Sequence, residues 1–210
     1  MAPRDDARLP IAVLVSGSGS NLQAIIDAAR DPAYGARIVA VIADRPGILA
    51  LDRATAAGIP TEVVAWTSFG DRATFTGAVC DAADQHGAAA LVLAGWMRIL
   101  SPNAIARFPS RILNTHPALL PAFPGAHAVA EAIAHGVKLT GVTIHFVDEE
   151  VDHGPIIDQV AVAVEPGDTE ASLQSRIQAE EHRVYPAVVD AFARGRLEVR
   201  GRSVIWKELV

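Results

Sequence analysis

The sequence is short of several things, and each shortage excludes something. Among 210 residues there is one cysteine, Cys80. One cysteine makes no internal disulfide and no Cys-rich metal site. It lies in the helical-looking stretch TFTGAVCDAADQ and reads as a packed thiol. Positive charge is not in excess, since the formal net charge is -6. Non-specific nucleic-acid binding needs a basic face, so no nucleic-acid partner is expected. No apolar run reaches about 18 residues, so no membrane span or membrane partner is expected. The opening MAPRDDARLP lacks the apolar core of a signal peptide. Residues 1–9 read as a mobile tail, and the expected location is cytoplasmic. There is no HExxH and no paired CxxC, so no metal is expected. A serine triad has no GxSxG elbow to stand on.

What is there is a hydrophobic chain of alternating elements. Half of the residues are hydrophobic, enough for a sizeable single core. IAVLVS (11–16), ARIVAVIAD (36–44), TEVVA (61–65), AALVLAG (89–95) and SRILN (110–114) read as five buried strands. Helical stretches lie between them, which is the signature of βαβ units and a parallel sheet. The pattern then changes. LTGVTIHFVD (139–148) and PIIDQVAVAV (155–164) read as two more strands. Their link is too short for the dozen or so residues of a parallel crossover, so they pair antiparallel. A helix covers residues 127–136, a long helix runs from Thr169 to Arg194, and LEVRGRSVIW makes a small hairpin within residues 196–210. The fold class is therefore α/β: a Rossmann-like, mixed but mostly parallel sheet with helices on both faces, in a single domain.

In such sheets ligands bind at the carboxyl ends of the parallel strands. Three segments end up there: SGSGSN, GWMRIL and NTHP. The glycines of SGSGSN (16–21) allow a tight turn, and the free N–H groups of the helix that follows favour an anion. A dinucleotide fingerprint would need a third glycine, but Leu22 holds that position. The loop therefore reads as a phosphate monoester site. Asp44, which ends the second strand, keeps a ribose-binding alternative open.

The second segment, NTHPALLPAFPG (114–125), places Asn114 and His116 against an apolar, proline-rich loop. Such a wall excludes water and strengthens hydrogen bonds to a reacting oxygen. A histidine alone there tends to be neutral; a nearby carboxylate would restore its proton. Asp152 in EEVDHGPI (149–156), held by the turn sequence His153-Gly154-Pro155, can supply it. Thr143 and His145 alternate on one strand face and both point to the crevice. An Asn-His-Asp trio without a nucleophile suggests polar stabilisation of a group transfer between two bound substrates. Of the other histidines, His86 and His135 suit helix ends, His127 starts a helix near the loop, and His182 belongs to core or surface.

SGSGSNLQAII, AGWMRILSP, LNTHPALLPAFPG and GVTIHFVDEEVDHGPII, in this order and spacing, resemble the phosphoribosylglycinamide formyltransferases, a folate-dependent family of purine synthesis. The resemblance covers about residues 10–195. It implies a formyltransferase fold and activity, with 10-formyltetrahydrofolate as co-substrate. By this resemblance residues 10–114 form the phosphoribosyl-substrate half. Residues 115–195 carry the histidine loop, the antiparallel strands and the folate loop. It assigns Asn114, His116 and Asp152 as the catalytic trio. Gly19, Ser20, Asn21 and Glu181 would hold the phosphorylated substrate. Arg72, Met97, Arg98, Ile99, Leu100 and Asn114 would hold the folate. Gly17, Thr143 and His145 would support them. The partners implied are small molecules, and a homodimer is allowed. Departures include Ser18 and Trp96, where Asn and Phe are frequent, and His153, which replaces a small residue and would add a titrating group. Competing readings are a formyltetrahydrofolate hydrolase, another folate-dependent formyltransferase, and a non-catalytic nucleotide-binding module.

Overall fold

The computed structural model describes residues 7–207. Nine strands form one sheet in the order β3-β2-β1-β4-β5-β6-β7-β9-β8. Strands β1 (Leu9–Val15), β2 (Ala36–Ala43), β3 (Thr61–Val63), β4 (Ala90–Leu93) and β5 (Ile112–His116) pair in parallel. β6 (Leu139–Phe146) and β7 (Ile156–Ala163) add on antiparallel. The hairpin of β8 (Leu197–Arg200) and β9 (Ser203–Trp206) joins the sheet through β9, which bridges β7 at Ile156 and Ser203.

The first strand explains the layering. In β1, Ile11, Val13 and Val15 face one apolar cluster, whereas Ala12 and Leu14 face the other. Strand side chains alternate with period two, so a run apolar on both phases is buried on both faces. Helices α1 (Ser20–Ala28), α2 (Leu49–Ala56), α5 (Ala128–His135) and α6 (Glu170–Ala193) cover the first face. Helices α3 (Arg72–Gln85) and α4 (Pro102–Arg107) cover the second, which also takes in the buried Cys80. A 3₁₀ turn at Trp66–Ser68, which has no signal in the sequence pattern, packs Trp66 edge-on against Phe75 of α3 with ring centroids 5.0 Å apart.

Two boundaries differ from the sequence reading. β1 begins at Leu9, so it overlaps the expected tail; residues 1–6 of that tail lie outside the described residues. More consequential is the end of β5. The sequence places His116 in the proline loop, but the strand runs on to His116, which pairs with Thr143 of β6. The rigidity of this histidine comes from the sheet ladder rather than from the prolines.

Tyr185 ties α6 to the centre of the sheet. It is fully buried, and its hydroxyl lies 2.9 Å from the Leu93 carbonyl and 3.1 Å from that of Leu113. These carbonyls belong to β4 and β5, two residues before GWMRIL and one residue before NTHP. Tyr185→Phe is expected to lower stability by about 1–2 kcal/mol. Urea denaturation followed by circular dichroism measures it, and no change in midpoint would remove this anchor.

Candidate active site

β5 feeds two neighbouring sites because its side chains alternate. Asn114 and His116 point to one face, and Thr115 points to the other.

On the first face β6 stands opposite. Asn114 pairs with His145, and His116 with Thr143. The His145 ring is held by two contacts. Its Nδ1 lies 2.8 Å from the Phe146 carbonyl, so Nδ1 carries a hydrogen and donates it. Nε2 then accepts from the Asn114 amide at 3.2 Å. This orients Asn114 and leaves its second amide hydrogen free to point elsewhere. Thr143 does not face a ligand. Its hydroxyl donates to the Ala118 carbonyl (2.6 Å) and accepts from the Leu120 N–H (3.0 Å) and the Gln159 amide (2.9 Å). Thr143 thus clasps the proline loop to the sheet.

Asp152 meets both histidines. Its carboxylate lies 3.3 Å from Nδ1 of His116 and 3.7 Å from Nε2 of His145, and it accepts from the Gly125 N–H at 2.8 Å. The proline loop and the β6–β7 turn are therefore joined at this residue. Asp152 adopts φ 53, a left-handed conformation that Asp tolerates better than most residues. Gly154 makes the turn close: a Cβ there would lie 1.8 Å from the Phe146 carbonyl. His153 is half exposed, with Nδ1 3.0 Å from the Asp148 carboxylate. Arg202, in the turn of the β8–β9 hairpin, donates to the His153 carbonyl at 2.7 Å. The hairpin thus reaches back to the residue beside Asp152.

Charge in this cluster is set by burial against pairing. Burial pushes the Asp152 carboxyl up, but the neighbouring His145 and His116 rings and the hydrogen bond from the Gly125 N–H outweigh it and hold it below the usual carboxylate value. For His116 the balance goes the other way. Burial lowers its pKa more than Asp152 raises it, so the ring is mostly neutral at pH 7 in the free protein. The expectation that Asp152 alone keeps His116 protonated is corrected here. The geometry nonetheless stands ready for the proton. Nε2 lies 2.8 Å from the Phe123 carbonyl while Nδ1 faces Asp152, so both ring nitrogens look at acceptors. A neutral ring serves only one of them, and an imidazolium serves both.

On the other face of β5, the Thr115 hydroxyl donates to Glu181 at 3.1 Å, and the Asn21 amide donates to the same carboxylate at 3.0 Å. Glu181 is buried on α6, and burial raises its pKa despite these two donors. The Asn21 Oδ1 is also buried but has no partner. Asn21 lies in the first turn of α1, whose N-cap is Gly19, with φ 72 and no side-chain cap. A Cβ on Gly19 would come within 2.7 Å of the Ala50 Cβ, so glycine lets the loop lie against α2. Gly17 has open space around it. The first-turn N–H groups around Ser20 and Asn21 therefore face an uncapped helix start, which suits an anion.

The third segment forms the rim. Met97 and Ile99 are 64% and 52% exposed, and so offer apolar surface to a flat ligand. Leu100 is buried in the cluster under α3 and α4, and its side chain offers none. Arg98 turns back: its Nε meets the buried Asp44 carboxylate at 2.6 Å, and its guanidinium lies 5.3 Å from the Trp66 ring. Asp44 is also gripped by Arg45 through two 3.0 Å contacts. With its oxygens taken, Asp44 is not free to hold a ribose. Arg72 is exposed at the start of α3 and has no hydrogen bond or ion pair to the trio. Thr115, Gly125, the Phe123 carbonyl and the Asp44–Arg98 pair were not among the expected site groups. For Thr115 a signal existed: strand alternation puts it on the face opposite Asn114 and His116.

The sequence profile described as "Formyl transferase" matches residues 9–189. A phosphoribosylglycinamide formyltransferase of Mycobacterium tuberculosis is 45% identical over 201 residues, 96% of this chain and 92% of that protein. The crystal structure of glycinamide ribonucleotide transformylase 1 from Symbiobacterium toebii superposes with a TM-score of 0.94 at 43% identity, covering 99% of this chain and 98% of that one. A formyltetrahydrofolate deformylase from Burkholderia mallei shares the fold at 29% identity, with a TM-score of 0.85 over 97% of this chain and 71% of that chain. The chain spans 20% of the length of the trifunctional purine biosynthetic protein of Gallus gallus, to which it is 41% identical. With the profile running from the first strand to the last turns of α6, the chain belongs to the formyl transferase family.

Proposed function

We propose that the protein transfers the formyl group of 10-formyltetrahydrofolate to the amine of 5-phosphoribosylglycinamide, a step of de novo purine synthesis, in the cytoplasm. The observation that carries this reading is the strand β5. It presents Asn114 and His116 to one side and, through Thr115, the Glu181–Asn21 pair to the other. A formyl donor and a phosphorylated amine then meet across a single strand. The partners are small molecules, with no nucleic acid and no membrane, and a homodimer is compatible with this arrangement.

The residues present suit both substrates. Met97 and Ile99 offer exposed apolar contacts for the folate ring, with Arg98 between them in the chain and Arg72 exposed at the start of α3. The uncapped start of α1 at Gly19, Ser20 and Asn21 suits a phosphate, and the unpartnered Asn21 Oδ1 awaits a donor. Glu181 serves the acceptor side.

The folate supplies an activated formyl group. The acceptor nitrogen bonds to the formyl carbon, and the bond from that carbon to the folate nitrogen breaks. In between, the formyl oxygen carries negative charge. The free amide hydrogen of Asn114 donates to that oxygen, and so does the Nε2–H of His116 once the bound donor takes the place of the Phe123 carbonyl. Removing one such donor typically costs about 10²–10³ in rate. His116 is mostly neutral before reaction, so the growing negative charge, added to that of Asp152, draws onto it the proton that the acceptor amine releases. Asp152 fixes the ring and relays the amine proton toward the leaving nitrogen through water. His145 orients Asn114. A bound acceptor contributes further by holding its amine in line, with the phosphate contacts supplying the binding energy.

The deformylase reading requires water in place of the acceptor. The acceptor-side features Glu181, Asn21 and the uncapped α1 start favour transfer. Two-substrate turnover decides between them: product should form only with both substrates, and in equal amount to the folate released. Folate release without acceptor would establish the hydrolase. Asp152→Asn should remain folded yet lose about 10²–10⁴ in kcat; near-normal turnover would overturn its role.

Glu181 gives a second test, with opposite signs for stability and function. A carboxyl whose pKa is raised by folding stabilises the protein most at low pH. That contribution falls as pH rises from the unfolded value, about 4.3, through the folded value. At pH 7 the buried charge therefore costs stability. Glu181→Gln should match or exceed the parent in thermal midpoint at pH 7 while raising KM for the acceptor. A marked loss of stability at pH 7 would contradict the burial argument.

A further inference from the structure

Asp44 directly follows β2 and is 1% exposed, yet it carries a full charge inside the fold. Burial pushes its carboxyl up, but Arg45, Arg98 and the Ser16 hydroxyl together hold it below the usual range, so it stays ionised at neutral pH. An ionised carboxylate buried this deeply needs all of its partners. Those partners are not spread at random. Arg98 and Ser16 both serve the crevice rim: Arg98 is part of it, and the Ser16 hydroxyl accepts the N–H of Met97 at 2.9 Å. The Asp44 carbonyl accepts from the Trp66 N–H at 3.0 Å, and the Trp66 ring lies under the Arg98 guanidinium. Behind them Phe75 joins Trp66 to Trp96, stacking on the latter with centroids 5.9 Å apart. Every residue from Trp96 to Arg98 is thus tied, directly or through one neighbour, to Asp44 or its aromatic backing. Met97 and Ile99 remain the exposed residues of this stretch.

We propose that Asp44 is a positioning residue for the formyl donor: by fixing Arg98 and, through Ser16, the Met97 backbone, it sets the apolar rim against which the donor's ring system lies. This rests on the formyl-transfer reading above. The chemistry of the trio is on another strand, so loss of Asp44 weakens donor binding and leaves the bond-making step in place.

The test compares Asp44→Asn, Asp44→Glu and Ser16→Ala with the parent in steady-state transfer, and measures tetrahydrofolate binding by calorimetry. Asp44→Asn should raise KM for the formyl donor and Kd for tetrahydrofolate by about tenfold, with kcat and the acceptor KM changed by less than about threefold. Ser16→Ala should shift the same two constants by less, and Asp44→Glu should recover part of the loss. A merely structural role would lower the thermal midpoint without this split between constants, and an unchanged donor KM would overturn the proposal. If Asp44→Asn does not fold, Arg45→Met, which removes a partner of Asp44 outside the rim, should raise the same two constants by a smaller factor, and an unchanged donor KM there would overturn the proposal. A parent protein that transfers no formyl group and binds no tetrahydrofolate would instead overturn the functional reading itself, and this proposal with it.

Discussion

The crevice depends on the antiparallel pairing of β5 with β6. Up to β5 the sheet is parallel, and each strand delivers its end to the crevice from a separate helix-bearing unit. β6 reverses that direction. It lays His145 against Asn114 and Thr143 against His116. The register decides everything that follows, because a slip by one residue would swap the faces of the strand. Asn114 and His116 would then face α6, and Thr115 would lose Glu181. The ladder thus separates the Asn114–His116 side from the Thr115–Glu181 side through backbone hydrogen bonds alone.

Around this strand, two buried carboxylates and one partly buried one meet three different fates. Asp44 has two guanidiniums and a hydroxyl, and its charge is held firmly. Asp152 has histidines and a backbone N–H, and these keep it ionised at neutral pH. Glu181 has only a hydroxyl and an amide, and burial wins. Donor strength orders the three: cations stabilise a buried charge more than neutral donors do. The firmly held charge lies under the rim beside Arg98, and the other two lie beside His116 and Asn21.

Much of this was legible in the sequence because the signals were local. Alternating strands and helices, the two apolar phases of β1, and the short link between β6 and β7 needed only period and length. The glycine loop and the Asn-His-Asp trio were legible as residue types at strand ends. What escaped the reading was set by tertiary contacts. The end of β5 was hidden because the proline at 117 looked like the boundary, whereas pairing with Thr143 carries the strand to His116. The neutrality of His116 was hidden because burial had to be weighed against Asp152, and no spacing states that balance. Asp44 looked like a ribose ligand from its place in β2; only the fold brings Arg98, distant in the chain, onto it.

The contact of Arg202 with His153 has a consequence in time. The turn that carries Asp152 is clasped by a guanidinium 49 residues further along the chain. At about 5–20 residues per second, synthesis reaches that clasp about 2–10 s after the turn has been made. Throughout that interval the left-handed Asp152 and the tight Gly154 turn have no hairpin to lean on. The sheet edge farthest from the glycine loop therefore follows last among the strands and completes the turn beside the crevice.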